Sequence, residues 1–387
     1  MLFTLEALEA RHGDALLLHY GDPDAPRLIV IDGGPRGVWT AGLAPRLEQL
    51  KARRSPDGPL AVRLVMVSHI DDDHINGILA LTDHILEQEA DGEERPYDIL
   101  GMWHNAFDDI VKKAKAQGAA FEAVSAAAAA GGAVPSLGLD RPTAAVAASV
   151  PQGRKLRDNS RALNLEVNAP FDDLVAAPAA GKKTVKMGDG LSFVVLGPSD
   201  ERLDNLEADW KAKVKKKPGA SAATLRRLAA AFLDDSVYNL SSIVVLARAG
   251  DRSMLLTGDA RGDDILKALR SAKLLGGGRL HVNLLKVPHH GSDRNVSTDF
   301  FRAITADHYV ISANGDFGNP DVPTLRMLTE ARADDGDPYA VHFTNKLAKV
   351  TTFVRAERKA GRKIEAVFAA GTPRSARVDL GEEKLAD

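Results

Sequence analysis

Residues 62–78 read VRLVMVSHIDDDHINGI, an apolar run that ends abruptly in a cluster of histidines and aspartates. Val62 to Val67 reads as a short buried strand, and about Ile75 to Gln88 as a helix. A strand, a polar loop and a helix in that order present the loop residues at one end of a sheet. Positions 69, 71 and 73 alternate, so His69, Asp71 and Asp73 can face one side while the backbone stays extended. Asp73 and His74 are expected to open the helix, with Asp73 as its N-cap. Ionisable groups this dense repel or desolvate one another unless a cation sits among them. Hard divalent metals in turn need several oxygen or nitrogen ligands converging on a small volume. A solvated acidic turn explains the aspartates but not histidines on both sides of them after a buried strand. A calcium EF-hand is a poor match, because the following ILALTDHI lacks its Gly–Glu framework.

Two further strand ends carry the same residue types. LLTGDA (255–260) puts Asp259 at a sheet tip, and KVPHHGS (286–292) ends a strand in His289 and His290. Adjacent histidines on an extended chain point to opposite sides, so one is expected to ligate while the other faces substrate or supports the ligands from behind. Each tip alone is a common turn, whereas the three together describe a dispersed site. The rest of the chain supplies the frame. Leu2–Leu8, Asp14–Tyr20 and Leu28–Ile31 read as paired strands, the last ending in the sharp turn IDGGP, and a helix follows near 41–52. Strand character returns at Thr184–Val195, and SSIVVLAR with SMLLTGDA reads as a hairpin. Then come VNLLK, HYVISANG, a helix near Thr324–Ala333, AVHFTN, and two closing strands near Val350–Arg355 and Ile364–Phe368. Strand–loop–helix units in both halves predict an α/β architecture with sheets sandwiched between helices.

Composition narrows the chemistry. No cysteine is present, so disulfides, thiolate metal sites and cysteine nucleophiles are excluded, and metal ligands must be imidazole and carboxylate. That donor set suits Zn²⁺ or Mn²⁺. A net charge of −3 offers no global attraction for nucleic acid or acidic membranes. Lys211, Lys213, Lys215, Lys216, Lys217, Arg226 and Arg227 form a local basic segment, which reads as a solvated helix face or as a phosphate contact. No run approaches the roughly 18–20 apolar residues of a membrane span, and the amino terminus lacks a signal-peptide core, so a cytoplasmic protein is expected. The 387 residues are read as one domain, with an Ala-rich helical insertion or lid at about 105–180 and a basic helical insertion at about 205–233.

SHIDDDHINGI resembles the histidine–aspartate signature of metallo-β-lactamase-fold hydrolases, usually His-x-His-x-Asp-His. Taken together, IDGGP, SHIDDDH, NLSSIVVL, LLTGDA, LLKVPHHGS and VISANG resemble one branch, the hydrolase domain of ComEC-type DNA-uptake proteins and its soluble relatives. The matching motifs run from about residue 12 to 345. The resemblance implies an αββα sandwich holding two divalent ions. His69 and Asp71 would hold one ion, Asp73 and His74 the other. Asp259 would bridge, and His289 or His290 would complete the second set. Asp71 stands where the signature usually has its second histidine. The family's additional histidine has no clear match, and His104 in MWHNAF is the one well-placed candidate. Asp14, Asp32, Asn239, Ser242 and Ser292 resemble supporting or substrate-contacting parts. The implied activity is a phosphodiesterase or nuclease. A hydroxide between the ions would attack, Asp73 would align it, and His289 or His290 would stabilise the leaving group. The transport role does not carry over to a chain without membrane helices. Two alternatives stay open: a hydrolase of small acyl substrates such as a lactone or β-lactam, and a non-catalytic metal-stabilised partner-binding module.

Overall fold

Alternate residues of the first strand, β1 (Leu2–Leu8), enter different cores. Phe3, Leu5 and Ala7 pack in one cluster, and Leu8 in another. The same division runs through both sheets of the computed structural model, which describes residues 1–106, 141–201, 242–333 and 335–386. The first sheet has the order β16–β1–β2–β3–β5–β7, with β2 at Leu16–Asp22, β3 at Ala25–Ile31, β5 at Leu64–Met66, β7 at Met102–Trp103 and β16 at Ser375–Asp379. The second has the order β15 to β8. Its strands are β8 (Lys183–Gly188), β9 (Leu191–Gly197), β10 (Val244–Ala249), β11 (Arg252–Leu256), β12 (Leu280–Lys286), β13 (Ile304–Ile311), β14 (Tyr339–Phe343) and β15 (Ile364–Phe368). β4 (Leu60–Val62) and β6 (Tyr97–Ile99) form a small separate pair.

Between the sheets lies one apolar core, where Phe3, Leu5, Leu18 and Ile29 meet Phe193, Val195, Val245 and Leu256. Helices cover the outer faces. Leu47 and Leu50 of α1 (Ala44–Arg54) and Ile75, Ile78 and Ile85 of α2 (Asp72–Ala90) pack with Leu17, Leu28 and Val30 of the first sheet. On the second sheet lie α4 (Gly262–Ser271), α5 (Thr298–Ala303), α6 (Val322–Ala331) and α7 (Ala348–Lys359). The result is a mixed α/β arrangement in four layers, helix, sheet, sheet, helix, as strands that send alternate residues into two different cores and helices buried along one face require.

Within the expected 105–180 insertion, the described residues include one helix, α3 (Arg141–Ala162). It lies against α2: Gln152 Nε2 donates to Asp72 Oδ1 at 2.9 Å and Asn159 Nδ2 donates to Thr82 Oγ1 at 2.9 Å. The expected basic insertion at 205–233 lies outside the described residues. No helix among the described residues is long and apolar enough to cross a membrane.

Two sequence expectations need correction. Val350–Arg355 is not a strand but part of α7. Its β-branched run VTTFV misleads, because Val350, Phe353 and Val354 are the buried positions and their spacing is helical. The last strand is instead β16, which pairs antiparallel with β1, so the chain returns to close the first sheet rather than the second.

Candidate metal centre

All the tips that the sequence singled out lie at one end of the two sheets. β3 and β5 run parallel with Ile31 opposite Met66, so Asp32 and Ser68-His69 emerge side by side. β11, β12 and β13 also run parallel, which brings Asp259, the 289–290 histidines and Ser312 out at their carboxyl ends. Such ends are where open parallel sheets bind ligands. The sheets are tied there by Ile243 N–H donating to the Ser68 carbonyl at 2.8 Å and by Ser312 Oγ donating to the Gly13 carbonyl at 2.6 Å.

The centre is a continuous cage of donors. His69 Nε2 lies 3.5 Å from Asp71 Oδ2 and 3.8 Å from Asp259 Oδ2. His74 Nε2 is 3.8 Å from Asp73 Oδ1 and 3.5 Å from Asp259 Oδ1. His290 Nε2 is 3.5 Å from Asp73 Oδ2 and 3.3 Å from Asp259 Oδ2, and His289 Nε2 is 3.7 Å from the same Asp259 oxygen. Among the described residues three groups have ligand atoms all within 4.8 Å of one another: His69, Asp73 and His74; His74, Asp259 and His290; and Asp14, Asp32 and His74. They share His74. His69 therefore approaches Asp73 and His74 as well as Asp71, and the donors do not separate into the two sets that the resemblance implies.

Local structure departs from the extended-chain reading in two places. Asp73 does not cap α2. The residue before the helix is Asp71, and Asp72 and Asp73 sit in the first turn. His289 and His290 do not point to opposite sides of a strand. Both adopt left-handed conformations, with φ of 49° and 53°, and the resulting turn aims both rings at Asp259. Consecutive non-glycine residues in that region are strained, a condition that surrounding contacts must enforce.

Those contacts are built in. The Asp32 carboxylate accepts from Ser68 N–H and Ser68 Oγ, both at 2.7 Å, and from His74 Nδ1 at 2.9 Å. His290 Nδ1 donates to the Ser312 carbonyl at 3.0 Å. Because these acceptors take the Nδ1 proton, the Nε2 lone pairs of His74 and His290 are left for the cage. Ser242 Oγ accepts from Asp259 N–H at 3.3 Å and so fixes the tip carrying that carboxylate. Asp14 binds the buried ammonium of Lys286 and lies 3.5 Å from His290 Nδ1. Ser292 donates its amide to the His289 carbonyl at 2.8 Å, behind the histidine turn. His104 is buried at the tip of β7, its backbone clasped by Asn168 through two 2.9 Å bonds, and it belongs to none of the metal-capable groups among the described residues. Asn239 lies outside the described residues.

Ser68, Lys286 and Ser312 were not singled out from the sequence. Only Lys286 carried a readable signal, a lysine inside an apolar strand, which must find a partner if buried. Ser68 acts by donating to Asp32 from a different strand end, and Ser312 through a backbone carbonyl, which no residue type reveals.

Electrostatics and hydrogen bonding agree on what the cage lacks. Burial would raise the Asp259 pKa, but His290, His289 and His74 outweigh it and hold the carboxyl well below the usual range. Burial would lower that of His74, but Asp259, Asp32 and Asp73 hold it well above the ordinary imidazole value. His290 is raised in the same way, against burial, by Asp259 and Asp14. The carboxylates therefore demand positive charge at the Nε2 positions. Yet Nε2 of His69, His74 and His290 and Oδ1 of Asp259 are buried without a hydrogen-bond partner. Orphaned buried donors and acceptors are costly and need an explanation. Nitrogen and oxygen ligands converging on one volume fit a divalent ion. The floor of the cage is buried, and its rim is open: side chains of His69 and His74 are 0% exposed, whereas those of His289, Asp71 and Asp73 are 29%, 25% and 23% exposed.

The chain matches no protein-family model and no curated protein. Among solved structures it is similar to a protein assigned as a metal-dependent hydrolase in Parabacteroides distasonis, at 9% identity and a TM-score of 0.34, covering 88% of this chain and 92% of that one. Zn²⁺-bound PqqB from Methylobacterium extorquens is similar at 11% identity and a TM-score of 0.37, covering 95% of this chain and 87% of that one. Likeness this distant carries no weight for fold or chemistry.

Proposed function

We propose that this chain is a metal-dependent hydrolase of phosphodiesters, a nuclease or phosphodiesterase, built on the metallo-β-lactamase fold. The observation that carries the reading is the set of orphaned Nε2 atoms of His69, His74 and His290 gathered around the orphaned Asp259 carboxylate. In this reading those residues, with Asp71 and Asp73, hold two divalent ions, zinc or manganese. When bound, such a pair supplies Lewis-acid stabilisation and activates water. Asp32 and the Ser312 carbonyl keep His74 and His290 in the tautomer that ligates. Asp259, fixed by Ser242, stands between His69, His74, His289 and His290. His289 faces the open rim, where it meets the leaving group, and Asp73 aligns the attacking water. The resemblance of the motif set to ComEC-type hydrolase domains supports the phosphodiester.

The experiment is metal-resolved turnover. Stripped protein is reloaded with Zn²⁺ or Mn²⁺ and assayed on single- and double-stranded DNA, cyclic dinucleotides and a generic phosphodiester. Asp73→Ala/His74→Ala serves as the control for contaminating nucleases. Phosphodiester cleavage that requires metal and is lost in the double variant is expected. Tight metal without turnover on any substrate would instead mark a metal-stabilised binding module.

A second reading, hydrolysis of small acyl substrates, has one observation in its favour. An apolar cleft of about 100 Å³, open to solvent, is lined by Pro178, Leu196, Pro198, Val244 and Ile265 and reaches Ser242 and Ala260 beside Asp259. None of the histidines of the cage lines it. Cleavage of a lactone or β-lactam but of no phosphodiester would promote this reading.

A further inference from the structure

The carboxyl end of β13 leads into a loop whose two feet are both fastened to the histidine turn. At one foot, the Ser312 carbonyl accepts from His290 Nδ1 at 3.0 Å. At the other, Asp321 N–H donates to the Gly291 carbonyl at 3.0 Å, and Asp321 Oδ2 accepts from Asp293 N–H at 3.1 Å. Between the feet the loop is internally braced. Asn314 Nδ2 donates to Asp316 Oδ2 at 2.8 Å, Asp316 N–H donates to Asn314 Oδ1 at 3.0 Å, and Lys349 Nζ holds the Gly318 carbonyl. A short surface loop with its ends together and its own internal packing is a common carrier of function.

At the tip stands Phe317, 82% exposed. Only one other large apolar side chain is exposed among the described residues, Leu100, which precedes β7 at the opposite end of the sheet. Phe317 also has a φ of 56°, a left-handed conformation that a bulky residue rarely adopts. Strain held in place by a braced loop, in order to present an apolar ring to water, points to a ligand. The ring is steadied on one side only. His12 meets it in an edge-to-face contact, with centroids 5.3 Å apart and planes at 82°, and His12 Nδ1 lies 3.6 Å from Asp316 Oδ2. His12 in turn belongs to the centre's own wall, two residues before Asp14, whose amide donates to the Asp73 carbonyl at 3.3 Å. Phe317 is thus a flat apolar platform tied to both walls of the cage, through His290 and through Asp73.

We infer that Phe317 is a stacking subsite for the nucleobase of a nucleotide substrate whose phosphate sits at the metal centre. The inference rests on the phosphodiesterase reading and names its substrate class. A base fits the platform better than a second phosphate does, because the residue next to the ring carries the carboxylate of Asp316 and the nearby Lys349 ammonium is bound to the Gly318 carbonyl. Base–aromatic stacking needs no particular base, since every base has a π-face.

The test compares adenosine 5′-monophosphate with ribose 5-phosphate by isothermal titration calorimetry on the full chain loaded with Zn²⁺ or Mn²⁺. The wild type is expected to bind the nucleotide at least about tenfold more tightly, the scale of one base–aromatic stack. Phe317→Ala should lose that preference while keeping its affinity for ribose 5-phosphate, and Phe317→Trp should retain the preference. Equal affinity of the wild type for the two probes, no binding of either, or a preference kept by Phe317→Ala overturns the assignment. Failure of the underlying reading shows elsewhere. If DNA or a generic phosphodiester is turned over but the preference is missing, only the stacking subsite falls. If the preference is present without phosphodiester turnover, the base subsite stands and the proposed reaction falls.

Discussion

A lysine in an apolar strand has to find a carboxylate, and Lys286 finds Asp14; both side chains are 1% exposed. Burial disfavours the ammonium, but Asp14 and Asp259 outweigh it and raise the lysine pKa. Breaking such a pair from one side strands a charge in the interior, typically at a cost of about 3–5 kcal/mol, whereas replacing both partners is often close to neutral. Lys286→Met should therefore lose about 3 kcal/mol or more in urea unfolding, and Lys286→Met/Asp14→Asn should recover most of it. A single variant as stable as the wild type would mean the pair contributes nothing. At this scale the donor types were legible: His69, Asp73, His74, Asp259 and His290 stand out as histidines and aspartates at strand ends. The direction of each ring was not legible, because it depends on acceptors such as Asp32 and the Ser312 carbonyl that come from other strands.

Elements are placed by close approaches that residue types only hint at. The IDGG turn and α2 touch through glycines: Gly33 N–H donates to the His74 carbonyl at 2.7 Å, and a Cβ built on Gly77 would stand 1.9 Å from the Gly33 carbonyl oxygen. Gly77→Ala must push α2 away from β3. Its expected consequence is a drop in bound metal per chain, read by elemental analysis, together with lower stability; a variant with full metal and unchanged unfolding would contradict the contact. α1 is held to β1 and β2 by a second buried cluster. Arg46 Nε donates to Glu6 Oε2 at 3.0 Å, His19 Nε2 lies 3.2 Å from the same oxygen, and Arg54 donates to His19 Nδ1 at 2.9 Å. With Nδ1 accepting from arginine, His19 is neutral, and burial first of all lowers its pKa to about 4. Glu6 is lowered to about 2, against burial, chiefly by His19 and Arg46. Both groups bind protons more readily when unfolded, so both favour folding at higher pH. Stability should fall as pH drops from 6.5 towards 4, on the order of 3 kcal/mol from His19 alone, and continue to fall below 4.5 as Glu6 follows. Denaturant titrations of wild type against His19→Gln isolate the first part, and parallel pH profiles for the two would refute it. The expected hairpin at β10 and β11 was readable from alternation and turn residues. Helix α7 was not, since its β-branched residues favour a strand locally and only packing against the second sheet selects the helix.

For the whole molecule, the consequence of gathering orphaned ligand atoms at one sheet end is that folding and ion binding are linked. An ion that binds the native chain and not the unfolded one adds roughly 2.7 kcal/mol at a hundredfold excess over its Kd. Chelation should lower Tm by several degrees, and Zn²⁺ or Mn²⁺ should restore it in differential scanning fluorimetry; a Tm indifferent to both would show that the cage holds no ion. The amino-acid sequence by itself determined the α/β class, most of the strand order along the chain, and which strand ends carry histidine and aspartate donors. These follow from hydrophobic period, turn chemistry and the absence of cysteine, all of which are local. Tertiary structure alone decided that β16 closes the first sheet on β1, that His289 and His290 turn together onto Asp259, and that Phe317 stands over the same end of the molecule. Each of those depends on contacts between residues far apart in the chain, where the favourable conformation is set by a partner and not by the residue's own preference.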